Sequence, residues 1–303
     1  MVNISGLRQR AGDAVVRGNE LVWRNVVNAQ AVRDYKRELP VLNDVAQRLL
    51  ADLRRDGVAT CDFTELTGDL GLLESLRLEA KQMEVDRAEQ IGQMREDQAA
   101  GRTPGKPFLI EMLDPLRPLV APNDPLLQAA LAPPLKAVAD HYFGLTTQVS
   151  SVNIWRNLAS GTAPSSSQLW HRDIAEDRVI LKAFIYLEDV TVDGGPFTYA
   201  PGTQPGGPRE LNLKGEFDGM NYRIVEEQDA ALLNGMARTF TGPAGSLVVA
   251  DTLGYHRGGW ATKHDRLLAQ IRYSSRGANR QSRLRAPEGL DVSSHKKVLA
   301  YAS

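Results

Sequence analysis

At 303 residues, 42% of them apolar and 24% charged, the chain has the composition of an ordinary globular protein and can bury a sizeable core without disulfide or metal staples. No apolar run reaches the length of a bilayer span, and the opening MVNISGLRQRAGDAVV lacks the basic start, apolar block and cleavage site of a secretory signal, which predicts a cytoplasmic protein with no membrane partner. The 36 basic residues nearly balance the 37 acidic ones, so no whole-protein field is present to gather nucleic acid.

Helical composition marks the segments around residues 7–35, 63–99 and 124–141. Between the first two, Val45, Leu49 and Leu53 recur at every fourth position and are followed by Gly57, an amphipathic helix with its stop signal. Gly57 to Phe63 then reads as a short strand, and its Cys61, the single cysteine, as a buried spectator thiol. After Gly144 the composition changes to short β-branched or aromatic runs: Thr147–Leu158, Val179–Val190, Pro196–Ala200, Ser246–Asp251 and Leu267–Ser274. Turn signals such as Asp193-Gly194-Gly195 and Gly242-Pro243 punctuate them. No helix-length segment separates most of these runs, which predicts antiparallel sheets closed as a two-sheet jelly roll.

The stretch from Pro205 to Arg238 is too long for a hairpin loop and carries Phe217, Met220 and Tyr222, so it reads as a lid over a pocket or a surface excursion. Arg280, Arg283, Arg285, Lys296 and Lys297 mark a tail that reads as a solvated, partly disordered end, with closure over an anionic substrate as the second reading. No repeat or low-complexity linker divides the chain. The expectation is one α+β domain over residues 1–303, mainly β: a mostly helical preface (1–144) packed on a jelly-roll core (145–275, with the insert 205–238) and a tail (276–303).

The chemistry centres on Trp170-His171-Arg172-Asp173, because residues two apart on a strand point to one face and would set an imidazole beside a carboxylate. Alone, a His-x-acid triplet arises by chance at roughly even odds in such a composition and reads equally as a surface polar pair. His256, directly after the apolar strand Ser246–Ala250, changes the balance. Two histidines and one carboxylate can occupy one face of an octahedral iron(II), leaving positions for a bidentate co-substrate and dioxygen. A closed zinc site would prefer four ligands, often thiolates, and suits a chain with one cysteine less well. Arg266, at the start of the strand Leu267-Leu-Ala-Gln-Ile-Arg-Tyr, could grip the distal carboxylate of a dicarboxylate with two parallel hydrogen bonds. Its plainer reading is a solvated strand-end arginine, and Arg272 is the alternative anchor. Gln168 and, ranked below it, Asn157 lie on or beside strands leading to the metal, where they could contact co-substrate or substrate, satisfying backbone groups being at least as common a role. His141, His264 and His295 read as solvated or locally hydrogen-bonded.

Taken in order, Gln168-Leu-Trp-His-Arg-Asp, Phe184-Ile-Tyr-Leu-Glu-Asp-Val, Gly194-Gly-Pro-Phe, Ala200-Pro-Gly-Thr and Tyr255-His-Arg-Gly-Gly resemble the phytanoyl-CoA dioxygenase family of iron(II)- and 2-oxoglutarate-dependent oxygenases over about residues 145 to 275. The resemblance implies a double-stranded β-helix, with iron on His171, Asp173 and His256 and the co-substrate carboxylate on Arg266. It further implies an aromatic wall at Phe184 and an approach to the same ligand by Lys106. The chain departs from many relatives at Gln204, where they carry histidine, and at Gly258, where they carry a hydroxyl residue; neither change removes a metal ligand, but acyl-CoA hydroxylation does not follow from the family name. The implied reaction is hydroxylation of a small organic molecule by dioxygen with release of succinate and carbon dioxide, ascorbate being a supporting reductant. Retention of Asp173 argues against halogenation, which in relatives needs a small residue there for chloride; desaturation or ring formation stays open, because those outcomes depend on substrate pose rather than on the ligand set. The alternatives are a non-catalytic jelly-roll binder of a metal or small ligand, and an oxygenase acting on a macromolecule.

Overall fold

The computed structural model describes residues 18–102, 106, 108–174, 176–217, 221–279 and 283–302; the expected helix over 7–17, Met220 and Arg280 lie outside them. After a short helical turn at Glu20–Val22 and a π-helical turn at Trp23–Val27 come α1 (Ala29–Arg37), α2 (Asp44–Asp56), α3 (Phe63–Thr67), α4 (Leu70–Asp86), α5 (Ala88–Ala99), α6 (Pro125–Leu131) and α7 (Pro133–Phe143). A further helix, α8 (Glu227–Met236), falls in the second half. The strands are β1 (Val58–Asp62), β2 (Leu109–Glu111), β3 (Gln148–Asn157), β4 (His171–Asp173), β5 (Leu181–Tyr186), β6 (Phe197–Tyr199), β7 (Gly215–Phe217), β8 (Asn221–Ile224), β9 (Arg238–Phe240), β10 (Ser246–Asp251), β11 (His256–Arg257) and β12 (Arg266–Ser274). Among the described residues no helix is long and apolar enough to cross a membrane.

Helix α2 shows how local sequence sets the elements. The Asn43 side chain accepts from the Ala46 N–H, Arg54 and Arg55 complement the dipole in the last turn, and Gly57 ends the helix at φ +72°. A Cβ on Gly57 would lie 2.4 Å from Gln204 Oε1 and 2.5 Å from the Tyr199 hydroxyl. Left-handed strain and this overlap add, so Gly57→Ala is expected to lower stability by about 2–4 kcal/mol. The midpoint of urea unfolding should fall with an unchanged slope.

Two antiparallel six-stranded sheets form the core, ordered β1-β10-β5-β12-β3-β2 and β7-β8-β4-β11-β6-β9. Alternation along β12 builds two layers at once. Leu267, Ala269 and Ile271 face the helices, where Leu53, Phe63, Leu127 and Val138 meet them, whereas Leu268 points between the sheets with Tyr186, Phe197, Tyr199 and Val248. This is the expected jelly roll, a double-stranded β-helix with helices covering one face.

Two expectations need correction. The segment 205–238 is no detached excursion: β8 pairs with β4, setting Asn221 opposite Asp173, and β7 extends the sheet. Leu211, Leu213, Ile224 and Leu233 then pack with Trp170 and Tyr255 on that sheet's outer side. The tail, over 283–302, is not a solvated end. Leu284, Leu299, Ala300 and Tyr301 are buried, and bridges join Leu299 to Val149 and Leu284 to Tyr301, because apolar residues spaced among the tail's charges dock on β3. Cys61 is partly buried, and burial pushes its thiol up to about 12, which leaves it unreactive as expected.

Candidate metal centre and co-substrate cavity

Register brings the two histidines together. His256 on β11 is the direct antiparallel partner of His171 on β4, their ring centroids are 4.3 Å apart, and Asp173 follows on the same face of β4. One potential ligand atom from each of His171, Asp173 and His256 falls within 4.8 Å of the others. His171 Nδ1 lies 2.8 Å from the Leu169 carbonyl oxygen and His256 Nδ1 3.0 Å from that of Gly254. A carbonyl only accepts, so each Nδ1 carries the proton and each Nε2 keeps its lone pair for a metal.

Electrostatics supports the same use. Burial, reinforced by the neighbouring imidazole of His256, lowers His171 to about 3, and burial lowers His256 as well, so both rings are neutral near physiological pH, as ligation requires. Burial alone would raise Asp173, but the Lys182 ammonium holds it well below the usual carboxylate range. Lys182 Nζ is 2.6 Å from Asp173 Oδ2, and Thr252 Oγ1 donates to the same oxygen at 2.5 Å. With Oδ2 so engaged, Oδ1 is the oxygen turned to His256 Nε2, at 3.9 Å. Lys182 and Thr252 escaped the sequence reading; the available signal was that Lys182 shares a strand face with Phe184.

A cavity of about 220 Å³ opens from this cluster between the sheets. Arg266 is 3% exposed at its wall. Its Nη1 donates to the Gly195 carbonyl and its Nη2 to Asn157 Oδ1 at 3.1 Å, while Nε has no partner among the described residues. No described carboxylate lies within ion-pair distance of it. Burial lowers its pKa, yet a guanidinium stays protonated in a protein, so this is a buried cation lacking a counter-charge.

Phe184 and Phe197 stand side by side in the wall, centroids 4.9 Å apart. Lys106 also lines the cavity, with its pKa lowered by burial. Gln168 lines it too, but its Oε1 accepts from the Ser165 N–H at 3.1 Å, a local capping bond. Asn157, ranked lower from sequence, is the one of the two that touches Arg266. Arg272 lies six residues along the same strand and pairs with Glu176. Of the departures from the family pattern, Gly258 lines the cavity and donates its N–H to the Ser167 carbonyl at 2.8 Å, and Gln204 is buried away from it. His141 is hydrogen-bonded, but to partners distant in the sequence, the Tyr35 hydroxyl and the Pro40 carbonyl oxygen.

Next to Thr252, Asp251 is buried and accepts from the Tyr142 hydroxyl at 3.0 Å, with Tyr199 and Asp173 also near; burial pushes its carboxyl up to about 7. Unfolded, it would titrate near 3.8, so between the two values the folded state binds more protons and stability falls as pH rises. The loss expected between about pH 5 and about pH 8 is about 3 kcal/mol, and Asp251→Asn should remove it in urea unfolding at both pH values.

The jelly roll with an open His-Asp-His cluster places the protein among the non-haem iron oxygenases. The family model for phytanoyl-CoA dioxygenase (PhyH) matches residues 9–266. The chain belongs to that family and is an iron(II)- and 2-oxoglutarate-dependent oxygenase. Similar solved structures include the carbocyclase SnoK from nogalamycin biosynthesis, at 16% identity over 77% of this chain and 86% of that one with a TM-score of 0.49. EctD from S. alaskensis, with 2-oxoglutarate and 5-hydroxyectoine, has 18% identity over 78% and 79% and a TM-score of 0.48. The epimerase SnoN, with Fe3+, alpha ketoglutarate and nogalamycin RO, has 19% identity over 76% and 84% and a TM-score of 0.47. No curated protein matches the sequence significantly.

Proposed function

We propose that this oxygenase hydroxylates a small organic molecule, with His171, Asp173 and His256 as the iron(II) ligands and Arg266 as the anchor for the distal carboxylate of 2-oxoglutarate. The observation that carries the reading is Arg266, a buried cation at the cavity wall with, among the described residues, an unpartnered Nε and no acid of its own. A dicarboxylate supplies what that environment lacks. The donor set fits iron equally well: two neutral imidazoles with fixed tautomers and one carboxylate oxygen, with no fourth protein ligand in the cluster among the described residues. When bound, iron(II) with 2-oxoglutarate and dioxygen supplies the oxidising power to hydroxylate a C–H bond, one oxygen atom entering the substrate and the other succinate as carbon dioxide leaves.

The chain's own part is positioning. Asn157 and the Gly195 carbonyl aim the guanidinium, Phe184 and Phe197 exclude water beside it, and Lys106 adds a further cation to the wall. Lys182 and Thr252 hold the second oxygen of Asp173. The reading takes residues 1–303 as one cytoplasmic oxygenase domain acting without nucleic acid or membrane. Support for the single domain comes from β1 and β2, which leave the helical half to pair with β10 and β3 of the main sheet. Purified protein given iron(II), ascorbate, dioxygen and 2-oxoglutarate is expected to form succinate, slowly without substrate and faster with it. No succinate under conditions where iron binding is verified would leave a non-catalytic binder instead.

A further inference from the structure

Arg266, Leu268, Gln270 and Arg272 line the cavity in alternation along β12. Six residues of extended chain set the first and last Cα atoms roughly 20 Å apart, so the two arginines serve opposite ends of one space. Register places Arg272 opposite Ser151 on β3 and Lys182 on β5, and Gln270 opposite Asn153 and Phe184. Ser151, Arg272 and Lys182 thus form a row across three neighbouring strands, beside the Asp173 that Lys182 reaches.

This end is rich in hydrogen-bond donors. Gln270 is 5% exposed, and its Nε2 has no partner among the described residues; Arg272 Nε is likewise buried without one, although Nη2 bonds Glu176. Asn153, by contrast, spends its amide on both backbone groups of Leu113. Buried donors without acceptors are costly, and an oxygen-rich ligand removes that cost.

Charge narrows the ligand. Among the described residues Lys106, Lys182, Arg266 and Arg272 line the cavity against Glu111, Asp173 and Glu176, four cations to three acids. The charges of iron(II) and the 2-oxoglutarate dianion cancel, so the loaded cavity keeps one positive charge. A group bearing a single negative charge answers it. A phosphate monoester, mostly dianionic near neutral pH, overshoots.

We propose that the molecule oxidised is a small monocarboxylate, its carboxylate held by Arg272 and Gln270 at the end of the cavity opposite Arg266. This rests on the oxygenase reading above. The test is a panel of hydroxy, amino and alkyl monocarboxylates, each paired with its primary amide, together with phosphate monoesters and simple amines. Two readouts are taken for every member: stimulated succinate formation, and calorimetric binding to protein loaded with Ni(II) and 2-oxoglutarate, which needs no turnover. Binding and stimulation should be confined to carboxylates. Arg272→Leu should raise the KM of the best carboxylate at least about thirty-fold with a smaller change in the KM for 2-oxoglutarate, and Arg272→Lys should restore part of the loss. Gln270→Met, which leaves the Arg272–Glu176 pair intact, should raise it about tenfold.

The proposal is overturned if no carboxylate binds, if amides, amines or phosphates bind as well as carboxylates, or if Arg272→Leu and Gln270→Met both keep wild-type affinity. Wild-type protein that binds a carboxylate but never forms succinate would reject the oxygenase reading while keeping the carboxylate site. Succinate formation indifferent to the carboxylate would do the reverse.

Discussion

Protein carrying His256→Ala is expected to lose its iron(II) and its turnover together. The ring offers Nε2 alone, because Nδ1 is committed to the Gly254 carbonyl oxygen, and the cluster has only two other members to share the loss. The fall in metal affinity should exceed the roughly 10–100-fold that changes behind a ligand cost. The imidazole also packs against Phe197 and Tyr199, at centroid distances of 5.6 and 6.4 Å, so some stability goes with it. Metal content after anaerobic loading and dialysis, read beside a melting curve, separates the two effects. A folded His256→Ala protein with normal iron and normal succinate formation would exclude the His171-Asp173-His256 assignment.

Arg266→Met is expected to spare the metal and sharply raise the 2-oxoglutarate requirement. The guanidinium's hydrogen bonds go to Gly195, Asn157 and Tyr186, none of them a ligand candidate, so iron binding should persist. A ligand that binds only the folded state stabilises it by about 2.7 kcal/mol at a hundredfold excess over Kd, and the iron-loaded wild type should show that gain with 2-oxoglutarate. The variant should show less than about 1 kcal/mol at the same concentration. Removing one partner of a buried, hydrogen-bonded charge pair costs about 2–5 kcal/mol, which raises the co-substrate KM by at least about thirty-fold. Each protein is compared with its own ligand-free melting curve, since losing the arginine also strands Asn157. A wild-type KM in the variant would move the anchor to another cation of the cavity.

Much of the architecture was legible in the sequence because it rests on local periodicity. Helix α2 follows from the recurrence of Val45, Leu49 and Leu53 and its glycine stop, and β3, β5, β10 and β12 are long enough to stand out as β-branched or aromatic runs between turn signals. The insert was not legible. β7 and β8 are three and four residues long, and they gain order by pairing with a β4 that is itself only three residues, a relation no local pattern encodes. The tail was misread for a similar reason: its apolar residues are scattered among charges with no strand or helix period, and burial is decided by the few that meet β3.

His171 and Asp173 were readable as one face of a strand, and His256 and Arg266 as residues at strand ends of the chemistry an iron and 2-oxoglutarate site needs. Residue types, their order and the two-residue spacing therefore belong to the sequence alone. Only the tertiary structure decided that His256 sits across from His171, that Lys182 and Thr252 claim one oxygen of Asp173, and that Asn157 rather than Gln168 steadies Arg266. Those relations depend on strand register and sheet stacking. A shift of one residue in either would turn each side chain to the opposite face.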